Sequence, residues 1–240
     1  MAGSEIAITW LGHAATKIET DGNVIVIDPF LEQNPATPED QKQPSQLDLM
    51  LITHGHYDHM GDAVSLVTRH QPDVIANFEI CAYLQGKGAQ KCNGMNTGGT
   101  VDWNGVKVTM TQAVHSSGIS EGDSIIYGGI AGGFVLRFPN GFCLYHSGDT
   151  DVFSSMQLIG SRFHPDVALL PIGGHYTMDP NAAADAVRLL GVKNVIPIHY
   201  GTWPPLAGRP DALREAAKDV SGLNVIALEP GQTVTQSQIG

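Results

Sequence analysis

The segment Thr53-His54-Gly55-His56-Tyr57-Asp58-His59 constrains this chain more than any other. Four side chains able to bind a metal ion, His54, His56, Asp58 and His59, fall within six residues. They follow residues 47–53, a near-continuous apolar run that reads as a strand buried on both faces. They precede residues 59–69, where Met60, Ala63, Val64 and Val67 recur at helical spacing. Any fold that accepts this segment must bring a strand end and a helix start to one point. In an extended stretch His54 and His56 face the same side. Asp58 and His59 are adjacent at the helix start and point in different directions. Two ligands for one ion and two for a neighbouring ion is the natural division.

Catalytic zinc-like sites take imidazole and carboxylate ligands and keep positions open for water. The local cluster supplies too few ligands for two ions, so the others belong at the ends of other strands. His115 ends the strand at 106–112 and begins a loop. Asp149 lies in His146-Ser147-Gly148-Asp149-Thr150, directly after a strand. His199 ends the strand at 195–198. Imidazole-carboxylate sites suit zinc, manganese or iron, and zinc is the metal expected here, with manganese next. The three cysteines, Cys81, Cys92 and Cys143, form no C-x-x-C pair. A cysteine-zinc module and a disulfide framework are therefore not expected, and a reducing cytoplasm fits the chain.

The 240 residues suit a single domain, residues 1–240. Short β-branched segments at 6–11, 14–19 and 24–27 read as strands, with a hairpin turn at Asp21-Gly22-Asn23. Residues 32–46 read as a loop, 74–76 as a strand and 80–85 as a short helix. Residues 118–133 form a Gly-rich stretch. Strands at 134–138 and 142–145 flank the turn Pro139-Asn140-Gly141. Strands at 167–171, 195–198 and 225–228 then alternate with helices at 180–190 and 210–220. Asp179 as N-cap and Pro180 at the first helical position mark a firm helix start. Strands first, then mixed strands and helices, predict an α+β fold with two sheets covered by outer helices.

H-x-H-x-D-H, a distant His, then G-D-T and a late His resemble the metallo-β-lactamase superfamily. The stretches Ile8-Thr9-Trp10-Leu11-Gly12-His13-Ala14, Ile27-Asp28-Pro29-Phe30 and Pro171-Ile172-Gly173-Gly174-His175-Tyr176-Thr177-Met178 narrow the likeness. They are similar to metal-dependent hydrolases related to ascorbate-6-phosphate lactonases and N-acylphosphatidylethanolamine phospholipase D. The resemblance runs nearly end to end. It implies a four-layer αββα sandwich with the site at one edge. It implies that His54, His56 and His115 hold one metal, that Asp58, His59 and His199 hold a second, and that Asp149 bridges them. Two divalent ions, two aspartates and a bridging hydroxide leave a net charge of about +1 at the site. Such a pair polarises a substrate and lowers the pKa of bound water toward 7. The expected activity is hydrolysis of a small, anionic ester, lactone, amide or phosphodiester. Asp58 is also placed to take the proton of the water.

Other residues carry weaker signals. Asp28 is expected either to orient a metal-bound histidine or to serve a turn. His13 lies in a Gly-His turn, at the site mouth or as a structural polar group. His175, in a loop between a strand and a helix, is expected near the site as a substrate-contacting or proton-donating imidazole. Tyr176 and Tyr200 either bond an oxyanion, as tyrosines do in related lactonases, or pack at the core edge. His146 is expected to be structural, His70 to cap a helix and His164 to lie at the surface. The loops around 30–46, 118–133 and 173–179 are expected to shape the pocket.

Composition narrows the function classes. The formal net charge is −11 and no Lys/Arg run occurs, which argues against nucleic-acid and anionic-membrane partners. Residues 1–9 carry no basic region ahead of an apolar one, and the second residue is Ala, so neither a signal peptide nor a myristoyl anchor is expected. No apolar run reaches the roughly 18 residues of a membrane span. A small-molecule substrate and a homo-oligomer are the expected partners. Two rival readings remain: a mononuclear iron oxidoreductase of the same superfamily, and a non-catalytic metal-binding protein.

Overall fold

The computed structural model describes residues 5–239; residues 1–4 and 240, and with them much of the N-terminal segment read for a leader or an anchor, lie outside it. The chain runs β1 (Ala7–Gly12), β2 (Ala15–Thr20), β3 (Asn23–Ile27), β4 (Leu49–Leu51), α1 (Tyr57–Met60), α2 (Ala63–His70), β5 (Asp73–Asn77), α3 (Phe78–Gly86) and β6 (Lys91–Met95). It continues through β7 (Thr100–Trp103), β8 (Val106–Gln112), β9 (Gly118–Glu121), β10 (Ser124–Tyr127), β11 (Gly132–Arg137), β12 (Cys143–His146), α4 (Met156–Phe163) and β13 (Val167–Pro171). It closes with α5 (Pro180–Leu190), β14 (Asn194–Ile198), α6 (Pro210–Ala216), β15 (Asn224–Val225), β16 (Thr233–Thr235) and α7 (Gln236–Ile239).

Two seven-stranded sheets form, in the orders β16-β1-β2-β3-β4-β5-β6 and β15-β14-β13-β12-β11-β8-β7. Each begins with antiparallel hairpins and ends with parallel strands joined through helices. The period-2 alternation of strand side chains sorts the core into three layers. Leu49 and Leu51 of β4 point between the sheets, where they meet Val108, Phe134, Leu144 and Leu169. Met50 and Ile52 point the other way, onto Ala63, Leu66 and Val67 of α2 and Ile80 and Leu84 of α3. Across the sandwich Ala168 and Leu170 of β13 pack under Ala183, Ala186 and Val187 of α5. Strands buried on both faces read as continuous apolar runs, as β4 and β13 do. The result is the expected α+β sandwich of four layers, αββα.

Several local readings change. Residues 59–69 are not one helix. Gly61 and Asp62 interrupt it, and Asp62 Oδ2 instead accepts from the N–H groups of Leu31, at 2.6 Å, and Glu32, at 3.1 Å. The Gly-rich stretch contains the β9–β10 hairpin and the start of β11. The helix begun at Pro210 ends at Ala216, short of residue 220. Strands β6, β7 and β16 and helix α4 carry little apolar alternation and were not expected. The Asp21-Gly22 hairpin turn has φ of 49° and 74°, the left-handed pair that a tight two-residue turn requires. Among the described residues no helix is long and apolar enough to cross a membrane.

Candidate metal centre

The carboxyl ends of β4, β12 and β14 converge at one edge of the sandwich, where open sheets with parallel strands usually bind ligands. Two cross-sheet hydrogen bonds fix that edge. Gly132 N–H donates to Thr53 O at 3.0 Å, and His199 N–H donates to His13 O at 2.7 Å. Gly148, at φ 62°, lets the Asp149 loop tuck in; a Cβ there would stand 2.6 Å from Gly132 O and 2.9 Å from Thr53 Cβ.

The seven residues expected as ligands come together, in two groups. In the first, His56 Nδ1 lies 3.0 Å from His54 Nε2 and 3.3 Å from His115 Nε2. Ligands bound about 2.0–2.1 Å from a tetrahedral zinc stand about 3.3–3.4 Å apart, so this spacing suits an ion. Outer hydrogen bonds set which nitrogens face inward. Thr53 Oγ1 donates to Asp28 Oδ2 at 2.7 Å and is left to accept from His54 Nδ1 at 3.0 Å. His54 therefore presents an unprotonated Nε2 to the group. His56 Nε2 meets Ser116 Oγ at 3.0 Å, a contact that holds the ring with its Nδ1 turned toward His54 and His115.

In the second group Asp149 Oδ2 lies 2.9 Å from His199 Nε2 and 3.2 Å from His59 Nε2. Asp58 Oδ2 lies 3.6 Å from His199 Nε2 and 3.9 Å from His59 Nε2. Asp149 Oδ2 is also 3.7 Å from His115 Nε2, so this carboxylate sits between the groups. His59 Nδ1 reaches Asp28 Oδ2 at 2.8 Å, and Asp28 Oδ1 accepts from Thr53 N–H at 2.8 Å. Asp28 thus orients His59, the first of its two expected roles.

The fit to a cation is tested by what the protein leaves unpaired. Asp149 Oδ1 is buried without a hydrogen-bond partner, and His59 Nε2 and His199 Nε2 make no well-directed hydrogen bond although Asp149 Oδ2 lies 3.2 and 2.9 Å away. Orphaned buried polar atoms are costly unless something binds them. The electrostatics agree. Burial opposes charge on His59, yet the Asp149 and Asp28 carboxylates outweigh it and hold its pKa well above the usual imidazole value. His199 is raised to about 9, against burial, by Asp149 and Asp58. Asp149, despite its burial, is held well below the usual carboxylate range by His199 and His59. At His54 burial and the neighbouring His59 outweigh the Asp149 carboxylate and drive the pKa well below its ordinary value. Both groups can hold a divalent cation.

His13 is a member of the second cluster rather than a plain turn residue. Its ligand-type atom lies within 4.8 Å of those of Asp58, His59 and His199. It is buried, and burial followed by the nearby His199 lowers its pKa to about 4.

Other expected residues stand further out. His175 is exposed at φ 59°, with its ring edge-on to Tyr176 at 4.3 Å, and it does not line the cavity over the cluster. Tyr200 stacks on Trp10, centroids 5.1 Å apart, and packs against the core. His146 is structural: its Nε2 meets Ala14 O at 3.2 Å and its Nδ1 accepts from Gly148 N–H at 3.1 Å. His164 is exposed and ends α4 in the left-handed conformation.

The cavity above the metal groups, ≈ 400 Å³, is lined by His56, Tyr57, Asp58, His115, Ser116, Asp149, Tyr176 and Trp203. Of the three loops expected to shape it, only the one at 173–179 contributes, through Tyr176. Ser116 and Trp203 were missed. Ser116 follows a predicted ligand directly, and Trp203 follows His199 by four residues, which are the signals that could have found them.

An α+β sandwich of four layers with histidines and aspartates gathered at its edge is the architecture of metallo-β-lactamase-type hydrolases. A sequence model described as the Beta-lactamase superfamily domain matches residues 23–200. A metal-dependent hydrolase of the UPF0173 group from Koribacter versatilis is 49% identical over 229 residues, spanning 95% of this chain and 97% of its own. One from Methanoregula boonei is 45% identical over 227 residues, at 95% and 96% coverage. Among solved structures, Igni18, a metallo hydrolase from Ignicoccus hospitalis, superposes with a TM-score of 0.85 at 37% identity, covering 97% of this chain and 98% of that one. The chain belongs to the β-lactamase superfamily and, within it, to the UPF0173 metal-dependent hydrolases. It is an enzyme, a metal-dependent hydrolase.

Proposed function

We propose that the chain is a binuclear hydrolase of small substrates. His54, His56 and His115 would hold one divalent ion, zinc or else manganese. Asp58, His59 and His199 would hold the other, and Asp149 would span the two. The observation that carries this reading is the split of seven side chains into two adjacent groups with Asp149 Oδ2 within 3.7 Å of both. A single-iron oxidoreductase would not account for the second group, in which Asp58, His59 and His199 also gather around Asp149.

When bound, such an ion pair polarises the scissile group and supplies a water of lowered pKa. The chain's own residues do the rest. Asp28 and Thr53 fix the rings of His59 and His54 in the inward-facing tautomers. Asp58 lines the cavity and is held ionised: His13 and His199 overcome the opposing effect of burial. It therefore faces the cavity as an ionised carboxylate that accepts a hydrogen bond from the attacking water, and we propose it as that water's proton acceptor. Tyr57, Tyr176 and Trp203 form an aromatic mouth around the cavity. Among the described residues no lysine or arginine lines this mouth. A small anionic ester, lactone, amide or phosphodiester would be held by the ions themselves. His175 would act from the rim, through the substrate or Tyr176, and not on the ions. Three free cysteines suit a cytoplasmic setting.

The test is Asp149→Asn, with hydrolysis assayed on a panel of phosphodiester, lactone and ester substrates. The expected result is a folded protein whose metal-dependent turnover falls by at least 10²-fold. Turnover near the wild-type value would overturn the two-ion assignment.

A further inference from the structure

We propose that His13 is a positioning residue that aims the Asp58 carboxylate and the His199 ring at the second metal ion. The proposal rests on the two-ion reading above.

His13 occupies the turn between β1 and β2, fully buried, with φ at 55°. That left-handed conformation costs an L-residue free energy and persists only where surrounding contacts over-determine it. The contacts are present on both backbone and side chain. The His13 carbonyl accepts from Trp10 Nε1–H at 2.8 Å and from His199 N–H at 2.7 Å. The second of these holds the ligand-bearing end of β14 against the first sheet. On the side chain, Nε2 lies 3.0 Å from Asp58 Oδ2 and Nδ1 lies 2.9 Å from Thr202 Oγ1.

The tautomer follows from the partners. A carboxylate only accepts, so the proton sits on Nε2 and is donated to Asp58. Nδ1 then carries a lone pair, and the Thr202 hydroxyl donates to it. Asp58 Oδ2 keeps a further lone pair for the ion, while the hydrogen bond fixes the plane of the carboxylate. The His13 ring also lies 3.9 Å from the His199 ring, tilted by 46°, and restricts how that ring turns. One residue therefore sets the direction of two ligands that enter the cluster from opposite sheets. The first group, His54, His56 and His115, has no contact of this kind with His13 among the described residues.

The experiment measures retention of each ion. Wild-type protein, His13→Ala, His13→Gln and Thr202→Val are loaded with zinc. They are then equilibrated against a graded chelator, and zinc per chain is counted by elemental analysis, with circular dichroism as the check of fold. Wild type should release its two ions in separable steps. In His13→Ala one of the two steps, that of the ion held by Asp58, His59 and His199, should move to about 10–100-fold weaker retention while the other stays unchanged. The Gln side-chain amide can still donate to Asp58, so His13→Gln should recover most of that loss. Thr202→Val, which leaves Asp58 and His13 in place, should weaken the same ion by a smaller factor and serves if His13→Ala does not fold.

Unchanged retention in folded His13→Ala and Thr202→Val overturns the proposal while leaving the two-ion reading intact. Equal loss in His13→Ala and His13→Gln makes His13 a ligand and also overturns it. Loss of both ions together shows a general structural role and does the same. A wild type that binds one ion defeats the two-ion reading, and the proposal with it.

Discussion

Asp28→Asn isolates the support that the protein gives to one ligand. Asp28 is fully buried at φ 52°, a conformation that Asn adopts about as readily as Asp, so the backbone need not move. Its two oxygens accept three hydrogen bonds: Thr53 N–H at 2.8 Å, Thr53 Oγ1–H at 2.7 Å and His59 Nδ1–H at 2.8 Å. An amide keeps one oxygen and replaces the other with a donor. In either flip, at least one of the three donors then faces an N–H group. If the amide nitrogen replaces Oδ2, two donors lose their acceptor and His59 is free to turn. Hydrogen bonds to a charged group contribute about 1.5–3 kcal/mol each. The expected cost is therefore about 2–4 kcal/mol of stability. A chain of this size loses about 2–4 °C in Tm per kcal/mol, so the midpoint should fall by about 5–15 °C. Loss of such an orienting partner should also weaken the ion at His59 by about 10–100-fold. Thermal melts and chelator competition read the two effects separately. A variant with wild-type Tm and metal affinity within twofold would refute the assignment of Asp28 as the residue that orients His59.

Gly148→Ala should cost more than a surface substitution, because φ is 62° and the new Cβ would meet Gly132 O at 2.6 Å. A loss of several degrees in Tm with weaker metal binding is expected, and wild-type values for both would contradict the packing argument. Stability should also decline at high pH. Burial pushes the Cys143 thiol up to about 11 and the Tyr200 phenol up to about 12, and it raises Tyr145 as well. These groups stay protonated in the folded chain after the unfolded chain has begun to ionise. Their contribution is complete below pH 9 and is lost as pH rises toward 12. For Cys143 alone the loss is about 1 kcal/mol by pH 10. Cys143→Ala should flatten that part of the Tm profile between pH 9 and 10, and an unaltered slope would refute the attribution.

The sequence made the contiguous part of the site legible. His54, His56, Asp58 and His59 lie on one strand-loop-helix passage, and their spacing alone fixes how they diverge. His115, Asp149 and His199 were found because each lies just past the end of a predicted strand, where ligands missing from the local cluster belong. His13 was open between two readings because the hairpin turn that bears it gives no periodic signal. Its role depends on contacts with Asp58 and Thr202, which are 45 and 189 residues away in the chain. Trp203 was missed for a similar reason, since the loop after β14 has no pattern to read. Tyr200 was offered two roles, and its stacking on Trp10 depends on the approach of the two sheets, which no local pattern encodes. Strands β6 and β7 lie at sheet edges, where most side chains are exposed and apolar alternation is not required. The broken helix at Gly61 and Asp62 reflects tertiary demand: Asp62 anchors the loop at Leu31 and Glu32.

The central claim is that seven side chains at one edge of the sandwich hold two ions. Elemental analysis of protein purified without chelator tests it most directly. The account predicts close to two zinc or manganese ions per chain. Close to one iron per chain would contradict it and would favour an oxidoreductase.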